Sequence, residues 1–324
     1  MKSAFFVTIA ALLVHMAAAP AADAPGTNAD LKFMPADSNV LIAVRVDQIL
    51  GTTMAKRLKQ DGGDLAQLIA SQLEQTSEHG FGSPLSNVDS LTMAGSVGAK
   101  DSLVVAVHFK QAVKAETILK SRKLPGGKGE KQPSFKEIKV GPFTLYESPD
   151  VFRQSFCIVS EKVMLSGDAK LLRSVLERKE PKYRSEMQAA LEKTDFTRSL
   201  NLVMDIKGMR AAKGDAFPVG TLPGVDLNKL LSNTDWIVKS IQVGDDKITA
   251  TGTASCSNPK DAALLQQQSM ATIATVMKEL EKRGAPKEIL EVLGGAKVEV
   301  SGNTVSGGTT IPLEVILKAL KAAQ

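Results

Sequence analysis

The side chains that could carry acid–base or nucleophilic chemistry are few and scattered. Of the three histidines, His15 lies in the apolar N-terminal stretch, which leaves His79 and His108. His108 stands between Val107 and Phe109 in an alternating run, on the face opposite both. That is the place of a partly exposed strand histidine, and a general base needs more than this. His79, in "SEHGFGSP", reads as a loop residue with no cluster of partner side chains nearby in the chain. Asp245 and Asp246 are adjacent carboxylates, but they fall in a predicted hairpin turn, where aspartate is favoured for backbone reasons. Cys157 and Cys256 each fall in a predicted strand. In an exported chain they could form a disulfide, and a buried thiol is equally at home there; both readings stand. His79, His108, Cys157 and Cys256 lie far apart in the chain and are not expected to make a zinc site.

Motifs add little. The chain has no Gly-x-Ser-x-Gly elbow, phosphate loop, dinucleotide fingerprint or His-Glu-x-x-His pair. A Ser–His–Asp triad gathered from distant segments stays open, because its members need no fixed spacing. The balance leans away from an enzyme, and nothing calls for a cofactor or a metal. Met204, Met209, Met270 and Met277 could line an adaptable pocket, although methionine at helical spacing is ordinary core. The densest charge lies in residues 120–139, "KSRKLPGGKGEKQPSFKEIK". Seven cations, Lys120, Arg122, Lys123, Lys128, Lys131, Lys136 and Lys139, face two acids there, around a Gly/Pro turn. Such a cluster suits an anionic surface, and equally a solvated loop. The "GGKGEK" within it lacks the strand–loop–helix setting of a phosphate loop. An aromatic content of 4% argues against stacking platforms for sugars or single-stranded nucleic acid, and no nucleic-acid partner is expected.

The start of the chain sets an address. "MKSAFFVTIAALLVHMAAAPAADAPG" has a basic residue, an apolar run from Ala4 to Met16 and small residues at Ala19-Pro20-Ala21. These are the parts of a cleaved export signal over residues 1–21. The run is short for a spanning helix, which needs about 20 apolar residues. Residues 22–32 are expected to be a disordered mature N-terminus, and the protein is expected to be secreted or periplasmic with no transmembrane span.

The elements that would position these side chains follow from periodicity. Val40, Ile42, Val44 and Val46 alternate, then Ile49, Leu50, Met54 and Leu58 take helical spacing. "AVRVDQIL" (43–50), "AVHFKQAV" (106–113) and "VMDIKGMR" (203–210) repeat one phrase, read as strand-to-helix junctions. Asp205 occupies the slot held by Arg45 and His108 in the other two, and this variety predicts a solvent-facing position. Hairpins are predicted around Gly98, Glu161-Lys162 and Gly244, and within residues 296–311. Helix caps are predicted at Asp168 and at Ser257 or Asn258, with Gly284 as a stop. The expected fold is α+β: a largely antiparallel sheet, or sheets, built from hairpin–helix units in two diverged halves, 33–180 and 185–324, with helices on one face.

"LKFMPADSNVLIAVRVDQIL" (31–50), "VSEKVMLSGDAKLLRSVLERK" (159–179) and "SEMQAALEKTDFTRSLNLVMDI" (185–206) resemble landmarks of uncharacterised exported bacterial proteins, a domain-of-unknown-function group abundant in planctomycete-type bacteria. That resemblance implies export and a repeated α+β plan, and supplies no activity or site residues. The functional expectation is a non-enzymatic cell-envelope binding or structural protein, whose partner is an anionic envelope component or another envelope protein. A periplasmic carrier of a hydrophobic ligand and a hydrolase with a dispersed site are the rivals.

Overall fold

The alternation of Val40, Ile42 and Val44 is realised as strand β1 (Val40–Arg45), and the change of period as helix α1 (Val46–Gly51). The structure, a computed structural model, describes residues 28–61, 63–99, 102–122, 135–149, 154–213, 231–282 and 284–322. The expected export signal lies outside them, as do Lys123, Lys128 and Lys131. After α1 come α2 (Thr53–Asp61), α3 (Gly63–Phe81), β2 (Val88–Gly95), β3 (Val104–Phe109), α4 (Ala115–Ser121) and β4 (Lys136–Val140). They are followed by β5 (Phe143–Glu147), β6 (Ser155–Ser160), β7 (Val163–Gly167), α5 (Ala169–Glu177), α6 (Ser185–Glu192), β8 (Leu200–Asp205) and α7 (Ile206–Lys213). The chain closes with β9 (Thr234–Val243), β10 (Lys247–Cys256), α8 (Pro259–Lys282), α9 (Lys287–Gly294), β11 (Glu299–Ser301), β12 (Thr304–Pro312) and α10 (Leu313–Ala322).

The strands form one 12-stranded antiparallel sheet in the order β11-β12-β10-β9-β8-β1-β2-β3-β7-β6-β5-β4. The two halves therefore share a sheet, joined where β1 pairs with β8. In that pairing Ile42 stands opposite Leu202, and each immediately precedes a copy of the repeated phrase. The middle phrase is different. It lies in β3, between β2 and β7, and α4 begins only after the connection Lys110–Lys114. It is not a strand-to-helix junction.

Helices cover both faces of the sheet, which corrects the expectation of one. The cause is visible in β3, where Val104 and Ala106 are buried on one side and Val105, Val107 and Phe109 on the other. On the first face Leu41, Ala94, Leu165 and Val203 meet Leu172 and Val175 of α5 and Met187 and Ala190 of α6. On the second, Val105, Val107 and Phe156 meet Ile118 of α4 and Phe81 of α3. Further along that face Ile237 meets Ile206 and Met209 of α7, and Val305 meets Ala262 and Leu265 of α8. Each Val, Leu, Ile, Phe or Met among them contributes about 1.5–3 kcal/mol on leaving water, and each alanine less.

The expected caps are in place. Asp168 accepts from the amides of Lys170 and Leu171, Asn258 accepts from that of Asp261, and Gly284 takes a φ of 73° after α8. Residues 28–32 are not disordered. Ala29–Phe33 is a 3-10 helix capped by Asn28, and it lies on the first face as a strap.

Candidate functional site

The strap brings together the most convergent polar cluster among the described residues. Asp30 is buried, with 4% exposure. His108 Nε2 donates to Asp30 Oδ1 at 2.5 Å, and the Thr92 hydroxyl donates to Asp30 Oδ2 at 2.8 Å. Asn28 Nδ2 donates in turn to Thr92 Oγ1 at 3.0 Å. β2 and β3 present Thr92 and His108 side by side on the first face, and the strap lowers Asp30 onto them. Two further bonds fix it: Tyr183 Oη donates to Leu31 O at 2.7 Å, and Arg178 Nη2 donates to Met34 O.

This arrangement is a latch. In a hydrolytic triad the hydroxyl gives its proton to the imidazole; here the threonine hydroxyl binds the carboxylate. Hydrogen bonding to Asp30 raises the His108 pKa, burial opposes it, and the charges of Asp30 and Asp89 add to the rise. A histidine raised on folding stabilises below its unfolded value, and that contribution disappears as pH climbs through the folded one. The melting temperature should therefore decline as pH rises above 6.5, and His108→Gln should flatten that part of the profile while lowering stability at pH 6. An unchanged pH profile in a thermal-melt series of the variant would exclude the latch.

A second cluster lies where α6 crosses the β8–α7 junction. Asp205 is fully buried, against the solvent-facing position expected for it. Its carboxylate accepts from Arg184 Nε at 2.8 Å and from the amide of Gly208 at 2.6 Å, capping α7. A Cβ on Gly208 would meet Asp205 Oδ2 at 2.2 Å; the position must be glycine for the carboxylate to fit. Beside it Lys207 Nζ approaches Glu186 Oε1 at 2.8 Å. Hydrogen bonds from Lys207 and then Ser185 hold the Glu186 carboxyl down at about 2.

The remaining predicted residues do not converge. Lys120, Lys136 and Lys139 are exposed. Arg122 turns inward, donating to Gly80 O, Gln154 O and Ser166 Oγ and lying 5.0 Å from the Phe156 ring centroid. Burial lowers it to about 10, and it is not part of a cationic surface. Cys157 and Cys256 are buried free thiols. β6 and β10 stand seven strand spacings apart, roughly 30 Å at about 4.8 Å each, far beyond the reach of a disulfide. Burial raises the thiols to about 12 and about 11. His79 lies in α3, its Nδ1 2.8 Å from Gln75 O. Asp245 caps α2 through the amide of Thr53 at 2.6 Å. Met209 is buried core beside Met204, whereas Met270 is 46% exposed. Among the described residues no group of three His, Cys, Asp or Glu side chains is placed to hold a metal, and no helix is long and apolar enough to cross a membrane.

A carrier needs a cavity of about 300–1,000 Å³. The recess between Thr234, Cys256, Asp261 and Leu265 is open to solvent and leaves no enclosed room even for a water molecule. Sequence reasoning missed Asp30, Thr92, Arg184 and Lys239. Lys239 is a β9 residue that burial lowers to about 7; its only signal was a lysine inside an apolar strand.

No family model and no curated protein matches this chain. Among solved structures it is similar to crystal form III of TP0453, with a TM-score of 0.45 and 13% identity over 90% of this chain and 97% of that one. It is also similar to crystal form I of TP0453, with a TM-score of 0.43 and 12% identity over 92% of this chain and 98% of that one.

Proposed function

We propose that this is an exported, non-enzymatic protein of the cell envelope that binds an anionic envelope component through exposed lysines, two of them on the edge strand of its sheet. The observation that supports this reading is the state of Lys120, Lys136 and Lys139. All three are exposed, and none joins an ion pair among the described residues. Lys136 and Lys139 lie on β4, the edge strand. The repeated order of elements, and the meeting of the two halves at Ile42 and Leu202, support diverged copies of one ancestral unit.

Lysine on an edge strand also prevents edge-to-edge pairing, so the test must separate the two roles. Purified protein is passed over anionic lipid vesicles and over anionic cell-wall polymer, at rising salt. Retention should fall with salt. Changing Lys120, Lys136 and Lys139 together to Gln should weaken it by about tenfold or more, since a lysine beside an anionic surface contributes about 1 kcal/mol. Unchanged retention, or aggregation with retention intact, would leave only the guarding role and overturn the proposal.

A further inference from the structure

The longest helix, α8, faces the core with few residues, Ala262, Leu265, Thr272 and Ile273. Its other side is unusual for a solvent face. From Ala262 to Met277 the sequence carries no charge at all, and two of the protein's exposed large apolar side chains, Leu264 and Met270, stand on it at 41% and 46% exposure. Exposed residues also recur there in a regular order. Lys260, Leu264, Gln267, Ala271, Ala274, Lys278 and Glu281 follow each other at alternating steps of four and three, and every one of them is exposed. That spacing keeps a stripe in line along a helix, as any exposed helix face does, and is compatible with packing against a second helix. At about 1.5 Å per residue it runs for roughly 30 Å.

We propose that α8 is the interface of a homodimer, in which a second copy packs its own α8 antiparallel across a two-fold axis at Ala271. The charge pattern selects that occupant. Reversing the stripe about Ala271 sets Lys260 of one copy against Glu281 of the other, and by symmetry does so twice. Within one chain neither side chain has an ion pair among the described residues. The same reversal sets Ala271 against Ala271, where small residues let the helices approach. It sets Gln267 against Ala274, a long side chain against a short one, and lays the stem of Lys278 along Leu264. A symmetric interface requires such self-complementarity, and a stripe that served only solvation would have no reason to satisfy it. The dimer is independent of the lysines at the β4 edge.

One helix pair is small beside a standard interface of about 1,200–2,000 Å², so association is weak and must be sought into the high-micromolar range. Sedimentation equilibrium of the full mature chain should show a reversible monomer–dimer equilibrium. Ala271→Glu brings two like charges together on the axis and should leave only monomer, with the circular dichroism spectrum unchanged because the site is exposed. Lys260→Glu and Glu281→Lys should each weaken the dimer by roughly five- to tenfold, since the axis repeats the like-charge contact, and the double reversal should restore it. A wild-type protein that stays monomeric in the high-micromolar range would overturn the proposal. So would a dimer indifferent to Ala271→Glu, or a double reversal no tighter than the singles.

Discussion

Arg184→Ala should destabilise the protein by about 3–5 kcal/mol, more than Asp205→Ala, although the two residues share one ion pair. The asymmetry comes from their surroundings. The Asp205 side chain is fully buried and that of Arg184 is 45% exposed. Removing Asp205 leaves a guanidinium that water can reach, at the further cost of an unbonded Gly208 amide, about 1–3 kcal/mol. Removing Arg184 leaves a carboxylate with the Gly208 amide as its one remaining hydrogen-bond donor among the described residues. Arg184→Lys should not rescue, because the bond is made by Nε, within a planar group that lysine lacks. Urea unfolding of the two singles and the double tests this. The m-value should stay constant, and the double should cost less than the sum. If Arg184→Ala cost less than Asp205→Ala, a stranded charge could not be the cause.

How this pair escaped the sequence is instructive. Asp205 shares its slot with Arg45 and His108, and variety in a repeated slot looks like solvent exposure. Two of the three are in fact placed by what crosses above them. α6 crosses over Asp205, and the strap covers His108; nothing in the phrase encodes either. The alternation of β1, the hairpins and the caps at Asp168, Asn258 and Gly284 were legible because they depend on neighbours within a few residues. The two-sided covering was not, because a strand apolar on both faces does not say which segment returns to each. α3 was missed for a related reason. Its polar residues from Gln72 to Glu78, and the Gly80 that follows, resemble a loop until α4 and the Leu85–Asn87 turn are packed against it. Asp30 was lost to an assumption that a chain end near a cleavage site is loose, when Leu31, Phe33 and Met34 all pack into the core.

Phe156→Ala should be the costliest core change in the first half, at about 3–5 kcal/mol. The ring is fully buried and organises its surroundings. Tyr146 stacks on it with centroids 4.7 Å apart, Phe135 meets it edge-on at 5.7 Å, and the Arg122 guanidinium lies 5.0 Å from its centroid. Arg122→Ala should then cost about 2–3 kcal/mol, because it strips the donors from Gly80 O and Gln154 O. The two changes share a contact, so the double should fall short of the sum by about 1 kcal/mol. This coupling bears on function. Arg122 sits among the lysines in sequence, and a charge-removal series that included it would lose retention through unfolding rather than through binding. Arg122→Gln should lower the unfolding free energy, while the changes at Lys120, Lys136 and Lys139 leave it within about 0.5 kcal/mol of wild type. The opposite outcome, a stable Arg122→Gln protein that no longer binds anionic surfaces, would move Arg122 from the core to the binding edge.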